Sequence, residues 1–169
     1  LGFIITREIM DDDQYDVVGQ RKAQGLAFSM RQTKEIVAAN VYNRAFNTSY
    51  LGGDGATLIA CAGGGSASHP LFAGGTWSNK LATAADLSEA ALEQAVIDIA
   101  GFRDDRGLLI AAKPKQLIIP YQLQFEAKRI LGSDGRVGTD LNDPNVLKET
   151  GIFSNVVVNH YLTDPDAWF

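Results

Sequence analysis

The stretch Lys115-Gln116-Leu117-Ile118-Ile119-Pro120-Tyr121-Gln122-Leu123-Gln124-Phe125-Glu126-Ala127-Lys128-Arg129-Ile130-Leu131-Gly132 decides the fold. Lys115–Ile119 reads as a strand, a short branched apolar run with a polar start. Pro120 closes it, because proline gives no N–H to a ladder, and the same residue suits the first position of a helix. A helix follows, with Leu123, Ala127, Ile130 and Leu131 on one face and Gly132 as its stop.

Working outward, Asp86 followed by Glu89 resembles a capping box. Leu92, Ala95, Val96 and Ile99 keep helical spacing after it until Gly101 ends the run. Asp104, Asp105, Arg106 and Gly107 form a polar turn between that helix and the strand. Downstream, residues 132–155 are turn-rich, and Val156-Val157-Val158 reads as a buried or central strand. Helix, strand, helix, loop and strand describe a mixed α/β layer.

Further upstream, Leu26, Met30, Thr33, Val37, Val41 and Ala45 recur every three or four residues, while Arg31, Lys34, Glu35 and Arg44 fall elsewhere. That spacing predicts an amphipathic helix of about six turns, ending at Asn47-Thr48-Ser49. Phe3-Ile4-Ile5-Thr6, the acidic Asp11-Asp12-Asp13 and Tyr15-Asp16-Val17-Val18 predict a hairpin or an extended arm before it. Residues 52–79 carry Gly52, Gly53, Gly55, Gly63, Gly64, Gly65, Gly74 and Gly75 and predict a long irregular loop. A loop of that length needs a function or an ordering partner, and contacts between subunits would supply one.

Composition narrows the functional classes. The 169 residues, 46% of them hydrophobic, suffice for one α/β lobe with a core. Net charge is −5, and the 15 Lys and Arg are scattered, which disfavours a nucleic-acid groove. Apolar runs such as Leu117–Ile119 and Val156–Val158 fall far short of the roughly 20 residues that span a bilayer. The single Cys61 excludes an intrachain disulfide and a multi-cysteine zinc site, which suits a reducing compartment. Leu1–Met10 lacks the pattern of a signal peptide. Position 1 reads as a cut, and the closing Ala167-Trp168-Phe169 leaves two large aromatics that a terminus would expose, so segments are expected beyond both ends.

Candidate chemistry is thin. Ser66 and His69 invite a nucleophile-and-base reading, but Ser66-Ala67-Ser68 lacks the glycine and helix start of a nucleophile elbow. Gly132, Gly135 and Gly138 follow a helix rather than a strand, and no Gly-Lys-Ser/Thr completes a phosphate loop. Asp11, Asp12, Asp13 and Asp16 lack the ligand alternation of a calcium loop, as do Asp140, Asp143 and Glu149. His69 and His160 lie 91 positions apart with no partner at metal-ligand spacing. Cys61 sits in Leu58-Ile59-Ala60-Cys61-Ala62, the setting of a buried inert thiol. No catalytic residue, cofactor site or metal site is expected.

The order of elements resembles the major capsid proteins of tailed phages, of the Hong Kong 97-type α+β fold, with a Mu-like flavour. Lys115–Pro120 followed by Leu123, Phe125 and Ala127 looks like the strand-then-helix entering that family's axial domain. Leu87–Gly101 looks like the long peripheral-domain helix, and Asn47–Gly55 like the segment ending the spine helix. The resemblance implies four parts: residues 1–20 as the end of an extended E-loop-like arm, 21–50 as the spine helix, 51–113 as peripheral-domain glycine-rich loop and helix, and 114–169 as axial-domain strand, helix, loop and strand. It also implies a structural, non-enzymatic subunit of an icosahedral head. Such subunits form pentamers and hexamers, meet scaffold or portal proteins, and enclose DNA without reading its sequence or touching a membrane. The subunit would belong to the virion and be assembled in the host bacterial cytoplasm. The alternatives are a serine hydrolase using Ser66 and His69, or a small α/β protein-binding module.

Overall fold

A computed structural model describes residues 2–12, 14–61, 68–72, 74–136 and 143–169. The elements run α1 (Arg7–Asp11), α2 (Tyr15–Asn43), β1 (His69–Pro70), β2 (Thr76–Trp77), α3 (Glu89–Ala100), β3 (Gln116–Pro120), a 3-10 turn (Tyr121–Leu123), α4 (Gln124–Gly132), α5 (Val146–Thr150) and β4 (Asn155–Asn159). They divide into two compact units, Leu1–Asn40 and Val41–Phe169.

The first unit is helical. The expected hairpin or extended arm over residues 1–20 is overturned: Arg7–Asp11 is a helical turn, and α2 begins at Tyr15. Tyr15, Val17 and Val18 favour strands locally, but β propensity is a weak prior without a neighbouring strand to pack on. Here the chain instead continues the 29-residue α2, a rod of about 43 Å at 1.5 Å per residue. Gln20 Nε2 donates to Asp16 Oδ1 one turn away, and Lys22 Nζ donates to the Ile4 carbonyl, tying the leading segment to the helix.

The core lies in the second unit, around the stretch from Lys115 to Gly132. Alternation along β3 buries Leu117 and Ile119 while Gln116 is exposed. Those two meet Leu87 and Leu92 from α3 and its approach, Ala127 and Ile130 from α4, and Leu147 from α5. Each leucine or isoleucine so buried contributes about 1.5–3 kcal/mol. β4 runs parallel to β3 in the register Gln116↔Asn155 through Pro120↔Asn159. A parallel pair needs a crossover, and α4 and α5 occupy the connection.

Three local expectations are corrected. The cap of α3 is Ser88, whose hydroxyl accepts from the Ala91 N–H, rather than Asp86. The turn-rich stretch 132–155 holds the helix α5, capped by Asn145 and ended by Gly151 in the left-handed region at φ 58°. β4, expected as a buried or central strand, is half-buried and pairs with β3 in a two-stranded sheet. The second neighbour of β3 is the end of the chain: Ile118 N–H donates to the Phe169 carbonyl and Phe169 N–H donates to the Ile118 carbonyl, at 2.6 and 2.9 Å.

That pairing leaves the closing aromatics half-buried. The Phe169 ring packs on Tyr42 and Phe46 with centroids 5.1 and 5.7 Å away, and Trp168 Nε1 donates to the Ala85 carbonyl. Backbone pairing and ring contacts both hold the segment against β3 and the end of α2.

Candidate functional site

The expected irregular loop, residues 52–79, contains the Ser66–His69 pair that the sequence singled out, of which the described residues include His69. Leu51 and Thr57 form an isolated bridge, and Gly52 N–H donates to the Ala56 carbonyl at 2.7 Å, closing a tight turn with Gly55 at φ 78°. Asn79 clasps the next residues: its Nδ2 donates to the Leu58 carbonyl and its Oδ1 accepts from Ala60 N–H. Cys61 is a buried free thiol.

His69 Nδ1 lies 2.6 Å from Asp54 Oδ2, joining that turn to β1. This hydrogen bond, with a second from the Ala56 N–H, holds the Asp54 carboxyl below the usual carboxylate range. His69 Nε2 is buried with no hydrogen-bond partner among the described residues. An imidazole oriented by a carboxylate is half of a nucleophile–base arrangement. The other half, Ser66, lies outside the described residues, as do Gly63, Gly64 and Gly65. The pair was not foreseen, because Asp54 and His69 are 15 positions apart in a glycine-rich stretch that offers no regular spacing.

The remaining candidates are dispersed. His160 stacks on Tyr121 with centroids 6.1 Å apart. Asp11 pairs with Arg7 within α1, and Asp13 lies outside the described residues, as do Gly138 and Asp140. Among the described residues no group of three or more His, Cys, Asp or Glu is placed to hold a metal ion, and no helix is long and apolar enough to cross a membrane.

What the chain displays instead is apolar surface. In the first unit Val17, Phe28, Met30, Ile36 and Val37 are exposed along α2, including two members of the stripe that the 3.6-residue spacing marks for burial. In the second unit Phe72, Leu108, Leu109, Ile110 and Phe125 are exposed. Scattered apolar residues are ordinary on a protein surface, but three consecutive ones, and a helix stripe left bare, are surface of the kind that association buries.

No curated protein and no solved structure shows a match to this chain. The model of one family, described as phage capsid protein, matches residues 1–169. The match spans the whole sequence, and the uncovered apolar surface suits a subunit of a shell: the chain belongs to the phage capsid protein family, a structural component of the virion.

Proposed function

We propose that this chain is part of a major head subunit of Hong Kong 97-type fold, of the Mu-like group, which self-assembles into pentamers and hexamers of an icosahedral shell around DNA. The spine helix is α2, the peripheral-domain helix is α3, and residues 114–169 form the axial-domain lobe. The observation that carries this reading is the bare apolar surface on both units, above all the stripe on α2 and the run Leu108–Ile110. Burying such surface is the main driving force for association. Ring contacts between non-equivalent patches close by rotation, so one sequence can build both five- and six-membered rings.

The net charge of −5 supports a container rather than a DNA-reading protein, since many phosphate contacts would retain the genome. Scaffold and portal proteins are the expected further partners, and assembly takes place in the host cytoplasm. The subunit acts through its surfaces and carries out no reaction.

The test is expression of the intact subunit followed by light scattering and negative-stain imaging. Closed particles of uniform diameter are expected. A monodisperse monomer at high concentration refutes the reading, and labelling of Ser66 by an active-site serine probe replaces it with the hydrolase.

A further inference from the structure

Between α3 and β3 the chain folds into a hairpin, Phe102–Ile110, that exposes apolar residues along one whole arm. Arg103 and Leu109 form its bridge. Asp104 N–H donates to the Leu108 carbonyl at 2.9 Å, and Ile110 N–H to the Phe102 carbonyl at 3.0 Å. The tip is internally satisfied: Asp104 Oδ1 accepts from the N–H groups of Arg106 and Leu108, Arg103 Nη1 donates to the Gly107 carbonyl, and Gly107 takes φ 85°. Phe72 N–H donates to the Asp105 carbonyl at 2.9 Å, bracing the tip from the side. A hairpin fixed in this way has little left to order when it docks.

Leu108, Leu109 and Ile110 are 65%, 62% and 54% exposed, and the bracing Phe72 is 89% exposed. Side chains alternate along a strand, so Leu108 and Ile110 share one face and Leu109 takes the other. Both faces are therefore exposed among the described residues. Asp105 and Arg106 are exposed beside them, and neither side chain has a partner among the described residues. One acid and one base side by side form a motif complementary to itself under a two-fold rotation.

We propose that this hairpin docks on the same hairpin of a second copy, with Leu108–Ile110 and Phe72 closing over each other and Asp105 facing Arg106 of the partner subunit. The contact rests on the reading of the chain as a shell subunit and names one surface that joins the copies. A lipid surface is the lesser occupant, because the tip, with Asp104 and Asp105 balanced by Arg103 and Arg106, has no net positive charge to draw anionic headgroups.

The experiment compares the intact wild-type subunit with L108S/L109S/I110S, D105R, R106D and D105R/R106D. Circular dichroism and melting report the fold, and light scattering with particle counting reports assembly. The triple variant is expected to melt like wild type and lose at least tenfold in particle yield. D105R and R106D are each expected to lose several-fold, and D105R/R106D to return to within about twofold of wild type, because only the double exchange restores complementarity between copies. If wild type assembles and the folded triple variant assembles equally well, the hairpin contact is overturned while the shell reading stands. A double variant no better than the singles also overturns it, by showing that Asp105 and Arg106 do not face each other between copies. If wild type itself never assembles, the shell reading falls first. Should the triple variant unfold, the charge series decides alone, since Asp105 and Arg106 take no part in packing.

Discussion

Replacing Asn145 by alanine should cost this fold about 3 kcal/mol, out of proportion to one polar side chain in a turn-rich stretch. Asn145 is 1% exposed and works in two directions. Its Oδ1 accepts from Lys148 N–H and caps α5, and its Nδ2 donates to the carbonyls of Ile130 and Ser133 at the end of α4. Losing the cap costs about 1 kcal/mol. Stranding a buried carbonyl costs about 1–3 kcal/mol; the Ile130 carbonyl incurs most of that, whereas part-buried Ser133 is partly rescued by water. With a urea slope of about 2 kcal/mol/M, the unfolding midpoint of the isolated subunit should fall by about 1.5 M. Asn145→Asp separates the two roles. It keeps the cap acceptor but turns a carboxylate toward two carbonyls, so it should be no more stable than Asn145→Ala. If Asn145→Asp unfolds at the wild-type midpoint, the cap alone matters and the clamp between α4 and α5 is not a source of stability.

Three further outcomes are expected. Asp54 has its carboxyl pKa lowered from the ordinary 3.8, chiefly by His69. Its contribution is therefore present above pH 3.8 and lost as pH falls through the lower folded value, and Asp54→Asn should flatten the acid limb of urea midpoints measured between pH 5 and about 2. Phe169→Ala removes the packing on Tyr42 and Phe46 but keeps the backbone pairing with Ile118. It should cost about 2 kcal/mol, read as a fall in Tm of about 4–8 °C, and an unchanged Tm would show that the closing segment is not part of the stable fold. Leu92→Ala, at a fully buried site, should cost about 2–5 kcal/mol, whereas Val37→Ser, at a site 61% exposed, should leave monomer melting within about 0.5 kcal/mol and lower particle yield.

The sequence was most readable where pattern and chemistry agreed. The strand β3, the turn at Pro120 and the helix α4 stand where Leu117–Ile119, Pro120 and the Leu123–Leu131 stripe put them. Helix α3 was read within a residue or two, but Asp86 and Ser88 both precede Glu89 as plausible caps, and only the backbone geometry selects Ser88. The opening failed because Val17-Val18 and Ile4-Ile5 carry strand propensity with no strand to pair with. Helix α5 was hidden by its length: five residues give barely one turn, too few for a periodic signal. Neither Asn145 nor the Asp54–His69 pair had a readable signal, since each owes its role to partners that folding, not spacing, brings near. The assignment of residues 21–50, 51–113 and 114–169 to capsid domains remains part of the proposal, whereas α1 and the start of α2 occupy the residues 1–20 expected as an extended arm.

The stripe on α2 shows how a correct periodicity leaves open what covers the apolar face. Leu26, Met30, Thr33 and Val37 follow helical spacing, and the helix forms, yet Met30 and Val37 stand 50% and 61% exposed. Spacing reports that a face must leave water; it does not say whose atoms will cover it. In a monomeric enzyme the cover comes from the same chain, so a stripe and a core coincide. In a shell subunit part of the cover arrives with the next copy, and the stability of that face becomes a function of subunit concentration. On the proposed reading the bare stripe and the bare hairpin are incomplete cores rather than flaws in the fold. Polar substitutions on them should therefore separate assembly from folding, whereas substitutions at Leu92, Leu117 or Ile119 should abolish both together.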